Sequence, residues 1–375
     1  MSKLKLFITA LIIICAAFPV RAGNRELLAA AYKTVNDEYL GGVSAGQFAI
    51  WSLQGLNSLD KNIRVADDAR HVTIYYRSQL YKSFVAPEDE HDAAAWAKLS
   101  DKIIRDLRKL SPEVKRRDIE AADRMLMAGV KKLDKNSKYF SNLLQEETQD
   151  LSFSRDYAER RLDGGVLYLK IGAFNKYTRG NVKQSLETNP DARALIIDLR
   201  MSPGGMLGEA INVTELFLDE GIVVSTKGRK EDSAAYYRAH NKAVVSGLPT
   251  IILVDGGTAS AAEVFTAALK EQGLALVIGT QTQGKGTVQN VVDLPDDNKM
   301  LITNAFYYTP SGQALDGVGI KPDICLYRTK VNVDIKALLL GNEPKECPRE
   351  DREDSKIDID VAHELALMVR RAAKP

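Results

Sequence analysis

From Gly164 to about Tyr307 the hydrophobic pattern changes period repeatedly. Short continuous apolar runs at 166–171, 194–199, 250–254 and 276–279 alternate with stretches whose apolar positions recur at helical spacing. Residues 222–225 and 301–307 are further strand-like runs. Helices are predicted at 182–187, 206–218 and 261–272, the last with Val264, Phe265, Ala268 and Leu269 on one face. Strands alternating with helices require crossover connections, which predicts an α/β core.

The chain before that core has a different texture. Residues 25–62 are largely helical, with Leu27, Leu28, Ala31 and Tyr32 on one face and Phe48, Trp51, Leu53 and Leu56 following a break at Gly41-Gly42. The stretch stops at Leu59-Asp-Lys-Asn62, a phrase that returns as Leu133-Asp-Lys-Asn136. A degenerate duplication and a recurrence of helix-stop chemistry both account for it. Residues 71–76 alternate like a strand, and 94–110 form an amphipathic pattern through Ile103, Ile104, Leu107 and Leu110. The expected organisation is a signal peptide at 1–22, a mainly helical region at 23–150, the α/β core at 151–330 and a charged, helix-prone extension at 331–375.

Composition narrows this only slightly. The 375 residues are 45% apolar with a net charge of +1, enough for a sizeable core and pointing to no nucleic-acid partner. Residues 98–138 are locally basic, read first as a solvated helix face and second as a contact for anionic lipid or cell-wall polymer. Lys3 and Lys5, the apolar run 6–18 and the small-residue site Val20-Arg-Ala22 predict export, to the periplasm or an equivalent compartment. An uncleaved anchor is the runner-up, and Cys15 follows three isoleucines rather than a lipidation pattern. In an oxidising compartment Cys325 and Cys347 can close a disulfide, with two buried thiols as the alternative. His71, His91, His240 and His363 are scattered, so no metal is expected.

The candidate chemistry begins at Ser260, which ends the strand-to-helix passage Asp255-Gly-Gly-Thr-Ala-Ser260. At such a junction a hydroxyl is accessible and the free N–H groups of the helix start can stabilise an oxyanion. Ser260-Ala-Ala-Glu263 equally fits a capping box. Lys285, between Gly284 and Gly286, can act as a base only if burial holds it neutral, and in isolation it also reads as an exposed turn. Residues 279–285 fit the first seven positions of a phosphate-binding loop, but Gly286 occupies the eighth and the residues after it suit a strand.

Several phrases in order resemble the C-terminal processing (tail-specific) serine peptidases: Leu133-Asp-Lys-Asn-Ser-Lys-Tyr-Phe140, Ile197-Asp-Leu-Arg-Met-Ser-Pro-Gly-Gly205, Thr258-Ala-Ser-Ala-Ala-Glu263, Gly284-Lys-Gly-Thr-Val-Gln289, Tyr308-Thr-Pro-Ser-Gly312 and Gly317-Val-Gly-Ile-Lys-Pro-Asp323. The resemblance implies Ser260 as nucleophile, Lys285 as general base and Gln289 as the residue orienting the lysine. Gly204 or Gly205, with the Ala261 N–H, are assigned to an oxyanion hole. For the fold it implies an α/β, crotonase-like (ClpP/crotonase) protease core.

One part of the family pattern is missing. A PDZ domain normally separates the Asp134 phrase from the first core strand, but here only residues 141–163 intervene, too few for a domain with its own core. The implied function is an exported endopeptidase that acts on a protein or peptide, needs no cofactor and lacks PDZ-based capture. An activating or adaptor protein, and a homo-oligomer formed through the N-terminal helices, remain open as partners. The alternatives are a non-catalytic ligand-binding or scaffold protein on the same fold and an acyl-coenzyme A enzyme, which an export signal disfavours.

Overall fold

A computed structural model describes residues 23–68, 70–144, 157–229, 233–245, 247–327, 347–352 and 355–372. The signal-peptide expectation lies outside the described residues. In chain order the elements are α1 (Asn24–Glu38), α2 (Ala45–Gln54), β1 (Ile63–Asp67), β2 (His71–Tyr76), β3 (Gln79–Val85), α3 (Ala93–Leu110), α4 (Pro112–Arg116), α5 (Ala121–Val130), β4 (Lys138–Phe140), β5 (Tyr157–Leu162), β6 (Val166–Ile171), α6 (Thr178–Thr188), β7 (Ala194–Asp198), α7 (Leu207–Thr214), β8 (Gly221–Gly228), β9 (Ala235–Ala239), β10 (Thr250–Val254), α8 (Ala261–Glu271), β11 (Leu276–Gly279), β12 (Thr287–Asp293), β13 (Lys299–Tyr308), β14 (Ile324–Cys325) and α9 (Lys356–Ala372).

Six strands form a sheet in the order β14-β11-β10-β7-β6-β5, parallel except where β5 turns back on β6. Every residue of β7 and β10 is buried, because this sheet is covered on both faces. Leu167, Leu169, Leu195 and Ile197 pack under α6, α7 and α8. The alternate residues Val166, Tyr168, Ala194 and Ile196 pack against Val361, Ala362 and Leu365 of α9. The helix that the sequence left without chemistry thus closes the second face of the core.

A second, antiparallel sheet runs β12-β13-β8-β9, with β4 added on β13. Its residues Val223, Val224 and Tyr307 pack on Val264, Ala267 and Ala268 of α8, whose other side carries Phe265 into the first core. α8 is buried from Ala261 through Leu269, apolar toward both sheets except for Glu263 and Thr266, as suits a helix between two sheets. Met300 and Ile302 of β13 also enter the N-terminal core of α1, α2, α3 and α5.

This arrangement corrects the crotonase-like expectation. The strands are divided between one mixed sheet and one antiparallel sheet with α8 between them, because the β12–β13 hairpin pairs with β8 and not with the parallel strands. The N-terminal region is also more than mainly helical: β1, β2 and β3 make an antiparallel sheet of their own. The 79–85 run was not legible because six of the seven residues of β3, all but Phe84, are solvent-exposed, leaving no apolar alternation to detect.

The two Leu-Asp-Lys-Asn phrases adopt the same turn. Asp60 Oδ1 accepts the Asn62 N–H (2.9 Å), and Asp134 Oδ1 accepts the Asn136 N–H (2.7 Å). Asp134 also holds Ser137 through its N–H and hydroxyl (2.7 and 2.9 Å), while Tyr139 and Ser141 donate to the buried Asp123 of α5 (2.7 and 2.6 Å). The Asp134 phrase therefore fastens β4 to the helical region. It also reaches the core, since Asn136 donates to the Thr287 hydroxyl (3.0 Å).

Candidate active site

β7, β10 and β11 are neighbours running in the same direction, so their carboxyl ends lie side by side and their following loops converge. These loops carry Gly204-Gly205, Ser260 and Lys285 respectively. A crevice at the carboxyl ends of parallel strands is where α/β sheets place their sites.

Ser260 is held at φ 54° and ψ −120°, a conformation costly for a residue with a side chain. The turn is fixed from within by Asp255, whose Oδ1 accepts the N–H groups of Gly257 and Thr258 (3.0 and 3.1 Å) and that of Met201 from the neighbouring loop (2.8 Å). Ala259 N–H bonds the Ser202 carbonyl (2.9 Å), drawing the Gly204 loop against the turn. A Cβ on Gly204 would stand 2.6 Å from the Ala261 nitrogen and 2.9 Å from the Ser260 Cβ, so only glycine, here at φ 90°, allows this approach. Gly205, at φ 141°, lies as close to the Phe174 backbone. Among the described residues, the N–H groups of Gly204, Gly205 and Ala261 donate to no partner.

Glu263 joins the two halves of the site. Its Oε2 accepts the N–H of Ser260 (2.8 Å) and of Lys285 (3.0 Å); its Oε1 accepts the Gly284 N–H (2.7 Å) and the Thr282 hydroxyl (2.5 Å). The carboxylate arm of the capping box is thus present and extends beyond the helix to the lysine loop. Burial pushes the Glu263 carboxyl up from its usual range, against the four donors that pull it down.

Lys285 is half-buried, and among the described residues its Nζ has no hydrogen-bond or ion-pair partner. Burial lowers its pKa from the ordinary lysine value; the positive charges of Lys138 and Lys135 lower it further, while Glu263 pulls the other way. The two lysines come from the Asp134 phrase, whose link to the site sequence reasoning missed. Its signal was the basic bias of residues 98–138, read as a solvated face. In that stretch Arg105 and Arg108 do pair with Asp101 and Asp118.

Gln289 sits on β12 beside a bulge opposite Thr303 and donates to the hydroxyls of Thr287 (2.7 Å) and Thr303 (3.5 Å), not to Lys285. The phosphate-loop alternative is removed by β12 itself, because 279–285 leads into a strand and supplies no helix start for a phosphate. Cys325 and Cys347 form a disulfide. No cluster of three or more His, Cys, Asp or Glu among the described residues could hold a metal.

A cleft of about 530 Å³ opens beside the lysine loop, between Tyr39-Leu40-Gly41, Asp134–Asn136 and the loop at Asp316-Gly317. Gln283, Gly284 and Phe306 line its core side.

Residues 165–326, the α/β core, match the model of Peptidase family S41. This completes the correction of the fold: the core is of the S41 peptidase type and not of the ClpP/crotonase type. The chain is similar to the carboxy-terminal-processing protease of Bartonella bacilliformis, 38% identical over 170 residues that cover 44% of this chain and 39% of that one. It is also similar to the chloroplastic carboxyl-terminal-processing peptidase 2 of Arabidopsis thaliana, 35% identical over 158 residues covering 42% and 31%. The chain therefore spans well under half the length of these relatives. A lipoprotein from Streptococcus agalactiae shares the fold over 82% of this chain and 93% of its own, at a TM-score of 0.51 and 15% identity.

Proposed function

With an S41 core as premise, we propose that this protein is an exported serine endopeptidase in which Ser260 attacks a peptide carbonyl and Lys285 takes its proton. The observation that carries this reading is the Glu263 carboxylate, which bonds the backbone of both residues and fixes the two loops against each other. Ser260 stands at the start of α8, where attack develops negative charge on the substrate oxygen. The free N–H groups of Gly204, Gly205 and Ala261 stabilise that oxyanion; its collapse breaks the peptide C–N bond as Lys285 gives the proton to the departing amine. Lys285 then takes a proton from water, which attacks the acyl ester, and returns it to the Ser260 oxygen as that ester bond breaks. Gln289 acts at one remove, ordering β12 through Thr287 and Thr303.

The disulfide between Cys325 and Cys347 supports a location outside the reducing cytoplasm. The cleft beside Lys285 is the place for an extended peptide, and because residues 141–163 leave no room for a PDZ module, the substrate is held by this groove and by the N-terminal region that lines it. The test is labelling with a serine-directed fluorophosphonate. The wild type should label at Ser260; Ser260→Ala should not, and Lys285→Arg should lose nearly all labelling, because a guanidinium keeps its proton at working pH. Equal labelling of wild type and Lys285→Arg would remove the lysine from the mechanism.

A further inference from the structure

The family match ends at residue 326, yet residues 347–352 lie across the loops of the site. The segment is fastened at its start by the bond from Cys347 to Cys325. The Pro348 carbonyl accepts the Gln281 N–H (3.1 Å), and the Glu350 carbonyl accepts the Thr280 hydroxyl (2.6 Å) and the Gly256 N–H (2.9 Å). The Arg352 N–H donates to Asp255 Oδ2 (2.8 Å). One strap thus touches both the passage leading to Lys285 and the passage leading to Ser260.

Arg349 is the centre of the strap. Its Nε donates to the Thr282 carbonyl (2.9 Å), and its Nη2 to the carbonyls of Gly317 (2.5 Å) and Val318 (3.0 Å). Among the described residues no carboxylate pairs with it. Thr282 precedes Lys285 by three residues, and the Gly317 N–H in turn bonds the Gly284 carbonyl (2.9 Å). A planar guanidinium can span the two loops flanking Lys285; the point charge of an ammonium cannot.

We infer that Arg349 is a positioning residue, which fixes the 280–286 loop through the Thr282 carbonyl and so keeps Lys285 in its half-buried place. The inference rests on the Ser260–Lys285 reading of the site. The charged groups facing Lys285 are Glu263 from α8, and Lys135 and Lys138 from the turn and strand of β4. None of these changes when Arg349 is replaced. What changes is the access of water to the lysine, which raises its pKa and moves the alkaline-rising limb of activity to higher pH.

The experiment compares wild type, Arg349→Lys and Arg349→Ala in the full chain, by hydrogen exchange of the 280–286 segment and by the pH dependence of Ser260 phosphonylation by a fluorophosphonate, in which the serine oxygen displaces fluoride from phosphorus. Both variants should exchange that segment about tenfold faster, a local opening of the loop. Both should be phosphonylated about tenfold more slowly, with the limb shifted to higher pH; because Arg349 also lines the cleft proposed for the peptide, kcat at saturating peptide is read apart from KM and should fall by the same order. Arg349→Lys keeps the charge, so a wild-type profile in that variant would reduce Arg349 to an electrostatic influence and overturn the inference. An unmoved limb in both variants, a rise in KM alone, or unfolding of both variants would overturn it as well. If the wild type itself fails to label, the Ser–Lys reading falls, while hydrogen exchange still reports whether Arg349 holds the loop.

Discussion

The backbone N–H groups of Ser260 and Lys285 converge on one atom, Glu263 Oε2, at 2.8 and 3.0 Å. The carboxylate is fully buried, and its other oxygen takes two more donors. Glu263→Gln leaves a single acceptor oxygen and turns an NH2 group toward donors it cannot satisfy. The expected cost is about 1–3 kcal/mol of stability per buried donor left unpaired. Phosphonylation of Ser260 should fall by about a hundredfold as the two loops drift apart. Thermal denaturation and fluorophosphonate labelling measure the two effects, and a variant that labels at the wild-type rate would show that the shared oxygen does not set the geometry.

Ser260 is held at φ 54°, where glycine is at ease and alanine is not. Ser260→Ala and Ser260→Gly should both abolish hydrolysis. Relief of backbone strain should make the glycine variant more stable than the alanine variant by about 1 kcal/mol, despite the greater freedom of its unfolded chain. Urea denaturation of the two decides it; an alanine variant that is the more stable would mean the turn stores no strain.

Gly204→Ala places a methyl group 2.5 Å from the Ala259 carbonyl and 2.6 Å from the Ala261 nitrogen. The Gly204 loop must move away from the serine turn, taking its N–H groups with it. Loss of one oxyanion donor costs about 10²–10³ in kcat. Steady-state kinetics on a peptide should therefore show kcat falling by that order with little change in KM, and a variant altered chiefly in KM would assign this loop to substrate binding instead.

The lysine leaves a signature in stability as well as in rate. Its folded pKa is lowered, so between that value and the unfolded value of about 10.4 the unfolded chain binds a proton that the folded chain lacks. Stability contributed at this position therefore rises with pH across that window. Lys285→Met removes the slope: the variant should be the more stable at neutral pH, with the two denaturation curves converging as pH rises toward 10. Parallel curves for wild type and variant would show that Lys285 titrates as it does in the unfolded chain.

Local order along the chain was legible because it depends on near neighbours. The apolar runs of β7 and β10, the helical spacing of α8 and the Ser260-Ala-Ala-Glu263 signature specify a strand, a turn and a helix start without reference to anything distant. The quoted phrases were enough to point to the peptidase family and to single out Ser260, Lys285 and the paired glycines as candidates, but not to give the right kind of core, since the resemblance implies a crotonase-like one. β3 was not legible because its residues are exposed; β8 and β13 were legible in part as strands, but their pairing into a second sheet was not, since it depends on which strand edges meet once the chain has folded.

Tertiary structure alone decided what those residues can do. The order β11-β10-β7 brings three loops to one edge, which no spacing within the sequence states. Glu263 reads as a cap in sequence, and becomes the link to Lys285 only because a loop following the next strand folds back onto its carboxylate. Lys135, Lys138 and the 347–352 strap act on the lysine from more than 60 residues away on either side along the chain. α9 is charged in sequence yet closes a core face, because its apolar stripe finds the uncovered side of the sheet. The sequence determined which groups are present and what each short segment prefers; the depressed pKa of Lys285 and the free N–H groups beside Ser260 exist only after folding, because burial and convergence are properties of the packed chain.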